Sequence, residues 1–442
     1  MKKILITIIA AFVAFSCEID EQINPNAPAL DDILESASKA QLNNLTAGAV
    51  AGMRTNHSIF VTAVGTITRE LYLFDADPRN RTDLIGTKGT LSQSVFYTTA
   101  NWTSRYRVIK NCNILLEALD VAEADVTNAE KAGYRGFAQT IMAHQLLVLW
   151  GAYYDSGVRL DVSDPDNPGP LVTNPNTVLQ EVRDLLDDGL ASLSGAEFAF
   201  SLSSGFAGFD TPATFSEFNR ALAARAALYA GDMAAARAAL TASFFDIDGD
   251  LSVGPKMAFS TSPGDQLNDI FKPSGQNGDQ IFASDTWVDE AQDPNDLRLN
   301  KVTERAEPFT GSGITVNYET NLYESAISPI DIIRNEELAL IYAEANIGFD
   351  NTEALAGINA VRDAAGLTPL AGTVTVEDVL VERRYSLWAE GHRMVDLRRT
   401  DNLNETYITL DNITTTDSDG NVIPAQQIIF TKFPLPLTEE GS

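Results

Sequence analysis

The chain has 442 residues, of which 44% are apolar and 21% are charged. This is the composition of an ordinary globular protein, and it excludes wholesale disorder. The 61 Asp and Glu residues against 31 Lys and Arg residues give a net charge of −30, and a field of that sign argues against a nucleic-acid partner. Two cysteines cannot form a disulfide framework, and three histidines far apart in sequence do not favour a histidine-based metal centre.

The N-terminus is typical of an export signal. Two lysines precede an uncharged apolar run, 4–15, that is too short to span a membrane. We predict a signal peptide over 1–16, because small residues precede Cys17 where a signal peptidase needs them. Cys17 then resembles the acylated first residue of a bacterial lipoprotein, followed by a tether over 17–29. The alternative is a simple secretory signal in which Cys17 has no role.

Most of the remaining chain is predicted to be helical. Apolar residues recur at helical spacing, and the polar residues at 174–177 have the chemistry of an N-terminal cap. The predicted single helices cover residues 30–54, 101–119, 128–150, 177–193 and 375–388.

Two further segments predict helix–turn–helix pairs, over 217–244 and 333–367. In the first, small residues let facing helices come close, and Gly231 with Asp232 ends one helix and starts the next. A turn over 348–351 separates the helices of the second pair. Antiparallel pairs are the unit of tetratricopeptide-like repeats, so we expect a mostly α fold built on a degenerate scaffold of this kind.

Three irregular stretches interrupt the helices, at 65–99, 155–176 and 246–324. They are rich in Gly, Pro, Asn, Asp and Ser, and long irregular insertions between rigid elements are usually functional. We therefore predict a single domain over 30–442 in which these loop-rich stretches elaborate a ligand-binding surface. The tail predicts a hairpin around 417–421.

An ordered set of motifs in the last third of the chain carries a resemblance to a known family. The motifs are Arg334-Asn335-Glu336-Glu337-Leu338, Ile341-Tyr342-Ala343-Glu344-Ala345-Asn346, Ile358-Asn359-Ala360-Val361-Arg362, Glu382-Arg383-Arg384-Tyr385-Ser386-Leu387-Trp388-Ala389-Glu390-Gly391-His392-Arg393, Asp396-Leu397-Arg398-Arg399 and Phe433-Pro434-Leu435-Pro436. Together with the lipobox at Cys17, this set resembles the SusD/RagB family of outer-membrane nutrient-uptake lipoproteins. The acidic residues directly after Cys17 resemble the signal that sends Bacteroidetes lipoproteins to the outer leaflet.

The resemblance implies a function, a location and a partner. It implies a lipid-anchored, surface-exposed protein of the cell outer membrane that binds oligosaccharide or polysaccharide. The cargo is then delivered to a SusC-type TonB-dependent transporter. The net charge favours neutral glycans. Three alternatives stay open: a peptide-binding uptake lipoprotein of the same family, a helical-repeat scaffold that binds only protein partners, and a glycosidase, which measurable turnover of a glycan would establish.

The charged residues of the C-terminal motifs favour a structural role. Arginine forks pair well with carboxylates, so the arginines between Arg383 and Arg399 should form an internal ion-pair network with Glu382, Glu390 and Asp396. The alternative is a basic ligand site. His392 is predicted to pack and to form hydrogen bonds.

Ligand-binding residues are expected on the loops, where rings stack on sugars and polar groups bind hydroxyls. Trp287 is the first candidate. The others are Tyr72, Phe74, Asp75, Arg79, Asn80, Tyr318 and Tyr323. The alternative is that these rings cover the undersides of loops as small cores. Trp102, Trp150 and Trp388 lie on apolar helical segments and are predicted to be core residues.

Metal binding and catalysis have little support in the sequence. The aspartates at 246, 248 and 250 invite a calcium site, but their spacing departs from the EF-hand loop, so we predict a turn and no cofactor. The chain has no phosphate loop, no nucleophile elbow and no zinc-protease motif. Acids are so abundant that a pair at glycosidase separation carries no information. We predict binding without catalysis.

Overall fold

The computed structural model describes residues 30–164, 166–275 and 279–439. The predicted signal peptide, Cys17 and the tether over 17–29 lie outside the described residues. Within the described ranges, no helix is both long enough and apolar enough to cross a membrane.

Helices make up most of the regular structure, so the prediction of a mostly α fold is confirmed. They are α1 Leu30–Glu35, α2 Lys39–Met53, α3 His57–Ile67, α4 Arg79–Thr82, α5 Phe96–Ala118, α6 Asn128–Tyr153, α7 Pro175–Leu193, α8 Pro212–Tyr229, α9 Met233–Thr241, α10 Asp285–Asp289, α11 Asn335–Asn346, α12 Asn351–Ala364, α13 Val376–Ser386 and α14 Arg393–Arg399.

Capping side chains fix where several of these helices begin. The Ser38 hydroxyl accepts a hydrogen bond from the backbone of Gln41, and the Gln41 side chain accepts one from the backbone of Ser38. This capping box starts a new helix and divides the predicted helix over 30–54 into α1 and α2. Asn174 caps α7 as the sequence predicts, with Pro175 at the first helical position.

Neighbouring helices pack in pairs, as predicted. The pair α8 and α9 is joined through Gly231, which has a φ of 72°, and Asp232, which accepts a hydrogen bond from the Ala235 N–H over 3.0 Å. In the second pair, Asp350 caps α12 directly after α11. In addition, α6 packs against α7, and α5 packs against both α2 and α6. Because the connections within pairs are short, the paired helices run antiparallel and form a tetratricopeptide-like scaffold.

The sequence prediction missed α3 and α14, and also the short helices α4 and α10, which lie in stretches predicted to be irregular. Eight of the eleven residues of α3 are buried, so this helix is apolar on most sides and lacks the amphipathic period that identifies a helix. The seven residues of α14 are too few for a helical period to be recognised.

A four-stranded antiparallel sheet joins two of the loop-rich stretches. Its strand order is β1–β5–β7–β6. The strands of the described chain are β1 Leu71–Phe74, β2 Val158–Arg159, β3 Leu171–Val172, β4 Lys256–Met257, β5 Gln280–Ala283, β6 Val302–Gly311, β7 Ile314–Thr320, β8 Ile330–Asp331, β9 Thr414–Thr416 and β10 Val422–Pro424. Strands β9 and β10 pair as the hairpin predicted around 417–421.

The main hydrophobic core draws its buried side chains from Ala37 to Phe433. The predicted core residues Trp102, Trp150 and Trp388 are all buried in it. Parts of the loop-rich stretches, such as Ile281 and Trp287, also pack into this core.

The predicted internal ion-pair network is confirmed in part, because Asp396 pairs with two of the C-terminal arginines, whereas Glu382 and Glu390 pair with arginines elsewhere in the chain. Arg383 Nε lies 2.7 Å from Asp396 Oδ2, and both side chains are buried. Arg399 binds Asp396 over 3.0 Å and donates from Nη2 to Glu344 Oε2 over 2.8 Å. Burial opposes the ionisation of Asp396, but the two guanidinium groups hold its pKa at about 2. The network ties α13 and α14 to α11.

The three histidines converge on one cavity of about 60 Å³, although they are far apart in sequence. His392 Nδ1 lies 3.0 Å from Tyr229 Oη, and His144 Nδ1 lies 2.8 Å from Gln145 Nε2. The packing and hydrogen-bonding role predicted for His392 is confirmed.

Candidate ligand-binding cleft

A cleft of about 410 Å³ opens where β1 ends and the chain turns into α4. Its floor is apolar, because Leu73 of β1 pairs with Ile281 of β5 and both side chains line the cleft. A concave site with an apolar floor and a few convergent polar groups is the usual form of a small-molecule site. The polar groups and the ring that complete the lining include Asp75, Asp77, Asn80, Phe96, Asp269, Lys272 and Asp279.

Neighbouring residues hold the carboxylate of Asp75 in place. Asn80 donates from Nδ2 to Asp75 Oδ2 over 2.5 Å, and the Asp77 N–H donates to Asp75 Oδ1 over 3.1 Å. Arg81 lies behind them, with Nη1 3.8 Å from Asp75 Oδ1 and its guanidinium carbon 4.4 Å from the centre of the Phe74 ring. Asn80 and Arg81 are buried, whereas Asp75 is partly exposed, so an oriented acceptor faces the cleft.

Arg79 connects a second carboxylate to the aromatic ring of the cleft. Its Nε lies 2.9 Å from Asp77 Oδ1, and its Nη2 lies 2.5 Å from Asp77 Oδ2. These hydrogen bonds hold the pKa of Asp77 below its ordinary value, so Asp77 stays an ionised acceptor. The guanidinium carbon lies 5.6 Å from the centre of the half-buried Phe96 ring.

Carboxylates outnumber cations in the cleft. Four aspartates line it with one lysine, Lys272, whose Nζ lies 3.8 Å from Asp279 Oδ2. Such a field repels uronate or sulfate groups. Carboxylates accept hydrogen bonds from sugar hydroxyls, and Phe96 offers a flat apolar surface. The chemistry of the cleft therefore suits a neutral ligand with many hydroxyl groups.

Three of the predicted ligand residues meet at this cleft. Asp75 and Asn80 line it, and Arg79 lies at its edge through its contacts with Asp77 and Phe96. Their contact with a ligand stays a prediction.

The other lining residues, Phe96 and Asp269 among them, were not predicted as ligand residues. Phe96 lies in the predicted stretch 65–99 and Asp269 in the predicted stretch 246–324, so the loop-rich composition pointed to both segments. The pairing of β1 with β5 brings the two segments together, and a single sequence carries little signal for so distant a pairing.

The structure corrects the prediction for Trp287. This ring is fully buried in α10, with its centre 4.9 Å from that of Trp388 and 5.3 Å from that of Tyr385. Its Nε1 donates to the Arg384 carbonyl over 3.4 Å. A ring without an exposed face cannot stack on a sugar, so Trp287 is a core residue.

Tyr72 and Phe74 are corrected in the same way. They lie two residues apart on β1, so both side chains are on the same face of the sheet. There they pack in a small second core with Phe282, Val316 and other apolar residues. Both are buried, and the Tyr72 hydroxyl donates to Asp411. For these two rings the alternative is confirmed, because they cover the underside of the sheet.

Tyr318 and Tyr323 lie outside the cleft. Tyr318 is a half-buried residue of β7 that pairs with Ala283 of β5. Tyr323 lines a separate cavity of about 380 Å³ with Lys301 and Arg334. Ligand contact by these two tyrosines stays a prediction.

The aspartate-rich segment at 246–250 forms the predicted turn. The Gly249 N–H donates to the Asp246 carbonyl over 3.2 Å, and the Asp248 N–H donates to Asp246 Oδ1 over 3.1 Å. In the part of the chain that the structure describes, no group of three or more His, Cys, Asp or Glu side chains could hold a metal ion.

Comparisons with known proteins agree with this architecture. Residues 312–435 match the model of the SusD family. No curated protein matches the sequence. A solved SusD-like carbohydrate binding protein from Bacteroides vulgatus ATCC 8482 is 17% identical, covers 90% of this chain and 91% of its own, and has a TM-score of 0.61.

Two solved structures of surface glycan-binding protein A, from different organisms, have the same fold. The protein from Bacteroides uniformis is 16% identical, covers 90% of this chain and 97% of its own, and has a TM-score of 0.67. The protein from Bacteroides thetaiotaomicron, in complex with laminarihexaose, is 15% identical, covers 91% of this chain and 97% of its own, and has a TM-score of 0.65. The resemblance to the SusD/RagB family is thus confirmed, since residues 312–435 match the SusD family model and the fold is similar to that of SusD-like proteins over about 90% of the chain.

Proposed function

We propose that this protein is a cell-surface lipoprotein that captures neutral oligosaccharides or polysaccharides without cleaving them. The observation that carries the proposal is the cleft beside β1, which is lined by four aspartates, Asn80 and Phe96 together with the apolar side chains of Leu73 and Ile281. The similarity to a glycan-binding protein solved with laminarihexaose supports the ligand class. The match to the SusD family supports the rest of the proposal.

Each group of the cleft has a distinct task in this proposal. Asp75 and Asp77 accept hydrogen bonds from sugar hydroxyls, and their own hydrogen bonds to Asn80 and Arg79 fix the direction of the acceptors. Phe96 packs against the C–H face of a sugar ring. Because the acceptors are oriented before the ligand arrives, little entropy is lost in ordering them.

The captured glycan is passed on in a second step. The acyl chain on Cys17 holds the protein at the outer membrane, beside a SusC-type TonB-dependent transporter. Glycan contacts that form in only one orientation of the protein over the transporter shift the population towards that closed orientation. When the protein returns to the open orientation, the transporter is accessible to the next glycan.

Calorimetric titration of residues 18–442 with laminarihexaose tests the cleft. We expect Asp269→Ala and Phe96→Ala each to weaken binding at least tenfold, about 1.4 kcal/mol, since each removes a direct ligand contact. Asp269 is exposed, so its replacement should leave the fold unchanged. If laminarihexaose does not bind, a panel of other neutral glycans replaces it.

Asp248→Ala and Phe349→Ala are matched controls, because both residues are exposed and neither lines the cleft. They should bind like the wild type. Wild-type affinity in both cleft variants, or cleavage of a bound glycan, would contradict the proposal.

A further inference from the structure

A second cavity, of about 300 Å³, lies within the C-terminal motif and is distinct from the cleft. One face of α13 forms a wall, because Glu377, Val381 and Arg384 are spaced four and three residues apart. The segment after α14 supplies Tyr407, and α14 itself supplies Arg393. The two cavities share no lining residue.

Arg393 lacks a close counter-ion in this cavity. Among the described residues, the only carboxylate in ion-pair range is Glu70, whose Oε1 lies 3.8 Å from Arg393 Nε. The Arg393 Nη1 donates a long hydrogen bond, of 3.5 Å, to the Leu380 carbonyl, and the guanidinium group also forms a hydrogen bond with the Tyr407 side chain. By contrast, Arg383 Nε lies only 2.7 Å from its carboxylate partner. A guanidinium group can donate five hydrogen bonds, so Arg393 keeps donors for a ligand.

Two other donors lie beside the cavity. Arg384 uses Nη1 for Glu290 over 2.7 Å, but its buried Nε has no hydrogen-bond partner in the described chain. The buried hydroxyl of Tyr385 also has none. Buried polar groups are normally satisfied. Both atoms are buried beside the cavity, so the donors that a ligand with acceptor oxygens would meet are those of Arg393.

The other residues that line the cavity indicate what the rest of that ligand should be. The half-buried ring of Tyr407 has its centre 5.5 Å from the guanidinium carbon of Arg393 and offers an apolar face beside the cation. Thr286, Thr409 and Gln292 place hydroxyl and amide groups around it. Two carboxylates, Glu290 and Glu377, also line the cavity, but Glu290 is bound by Arg384 and Thr409 and Glu377 accepts from the Tyr407 hydroxyl. The volume is at the lower end for ligand cavities, which suits a single sugar ring.

We propose that this cavity binds a monosaccharide acid, with its carboxylate on Arg393 and its ring against Tyr407. The site is separate from the neutral-glycan cleft and does not depend on the proposed function. A guanidinium group binds a carboxylate through two parallel hydrogen bonds, which gives a preference for a sugar acid over the matching neutral sugar.

Calorimetric titration of residues 18–442 with D-glucuronate, D-glucose and acetate tests this site. We expect glucuronate to bind at least tenfold more tightly than glucose, which lacks the carboxylate, and than acetate, which lacks the ring. Arg393→Gln should weaken glucuronate binding at least tenfold. Arg107→Gln, which removes an exposed arginine from α5, and the cleft variant Asp269→Ala should retain it.

Arg393→Lys provides the second variant if circular dichroism shows that Arg393→Gln does not fold. It keeps the charge but loses the paired donors, so we expect a loss of several-fold in glucuronate affinity. Absence of glucuronate binding, equal binding of glucose or acetate, or wild-type affinity in the folded Arg393 variant would overturn the proposal. Retention of glucuronate binding in Asp269→Ala separates this site from the cleft.

Discussion

Burial keeps the imidazole rings of His57 and His392 neutral. Desolvation lowers the pKa of His57 to about 3, with repulsion from Arg105 as a further cause. Desolvation also lowers the pKa of His392 to about 4, although Glu337 favours its charged form. At neutral pH these residues contribute hydrogen bonds and packing, with no charge.

Stability should therefore fall as the pH drops from about 6.5 towards 4. The unfolded chain binds protons near the ordinary histidine pKa, whereas the folded chain does not, so each histidine costs up to about 1.4 kcal/mol per pH unit. Urea unfolding of the wild type and of His57→Gln between pH 4.5 and 8 measures this effect. The variant should have a shallower decline below pH 6.5, and parallel curves would refute the assignment.

The titration of Glu70 changes stability with pH in the opposite direction, so its effect must be separated from that of the histidines. Burial raises its pKa from 4.5 to about 7, so its contribution to stability is present below pH 4.5 and is lost as the pH rises to about 7. The difference between wild type and His57→Gln cancels this contribution, because Glu70 is present in both proteins.

The four tryptophans show how far the burial of a single side chain can be predicted from the sequence. Trp102, Trp150 and Trp388 are predictable as core residues because they lie on apolar helical segments. Trp287 is not, because its segment has the polar composition of a loop, and only tertiary packing against Trp388 buries it. Composition predicts where loops lie, but it does not predict which loop side chains turn inward.

The burial of Trp287 predicts a loss of stability. We expect Trp287→Ala to lower the free energy of unfolding by about 3–5 kcal/mol, because it leaves a large cavity in the core. Urea denaturation measures the change. Val422→Ala serves as a control, since this side chain is 72% exposed and should cost under about 0.5 kcal/mol. A loss of glycan affinity with unchanged stability would return Trp287 to the binding site.

At the scale of elements, buried ion pairs hold the helix pairs together. Arg225 of α8 donates to both carboxylate oxygens of Glu337 of α11, with Nε 2.7 Å from Oε1 and Nη2 2.5 Å from Oε2. Burial opposes the ionisation of Glu337, but the Arg225 guanidinium group holds its pKa at about 2. The pair therefore stays charged across the physiological range.

Breaking this pair should be costly. We expect Glu337→Gln to lower the free energy of unfolding by about 3–5 kcal/mol, because the Arg225 charge stays buried without a counter-ion. The double variant Arg225→Met, Glu337→Leu removes both charges and should recover most of the loss. Thermal and urea unfolding measure both proteins. An equal loss in the single and double variants would show that the pair does not couple the two helices.

The helices were more predictable than the strands for a physical reason. A helix such as α7 shows its period within its own residues, and its cap at Asn174 marks its start. The sheet depends on pairing between β1 and β5, which are far apart in the chain. The cleft inherits this limit, because its two sides come from those two segments.

The whole molecule combines a helical scaffold with an acidic surface. The net charge of −30 and the aspartates of the cleft have the same sign, so the local site does not reverse the global field. The fold class and the family motifs could be predicted from the sequence because they depend on periodicity and on residue order. The position of the cleft could not be predicted, because it depends on how the loop-rich stretches pack against the core.

The most direct test of the central claim is a glycan array probed with residues 18–442 and with the Asp269→Ala, Phe96→Ala double variant. We expect the wild type to bind at least one neutral glycan on the array. The double variant should have an unchanged circular dichroism spectrum and should bind that glycan only at background level. Equal retention by both proteins, or no retention of any neutral glycan by the wild type, would contradict the central claim.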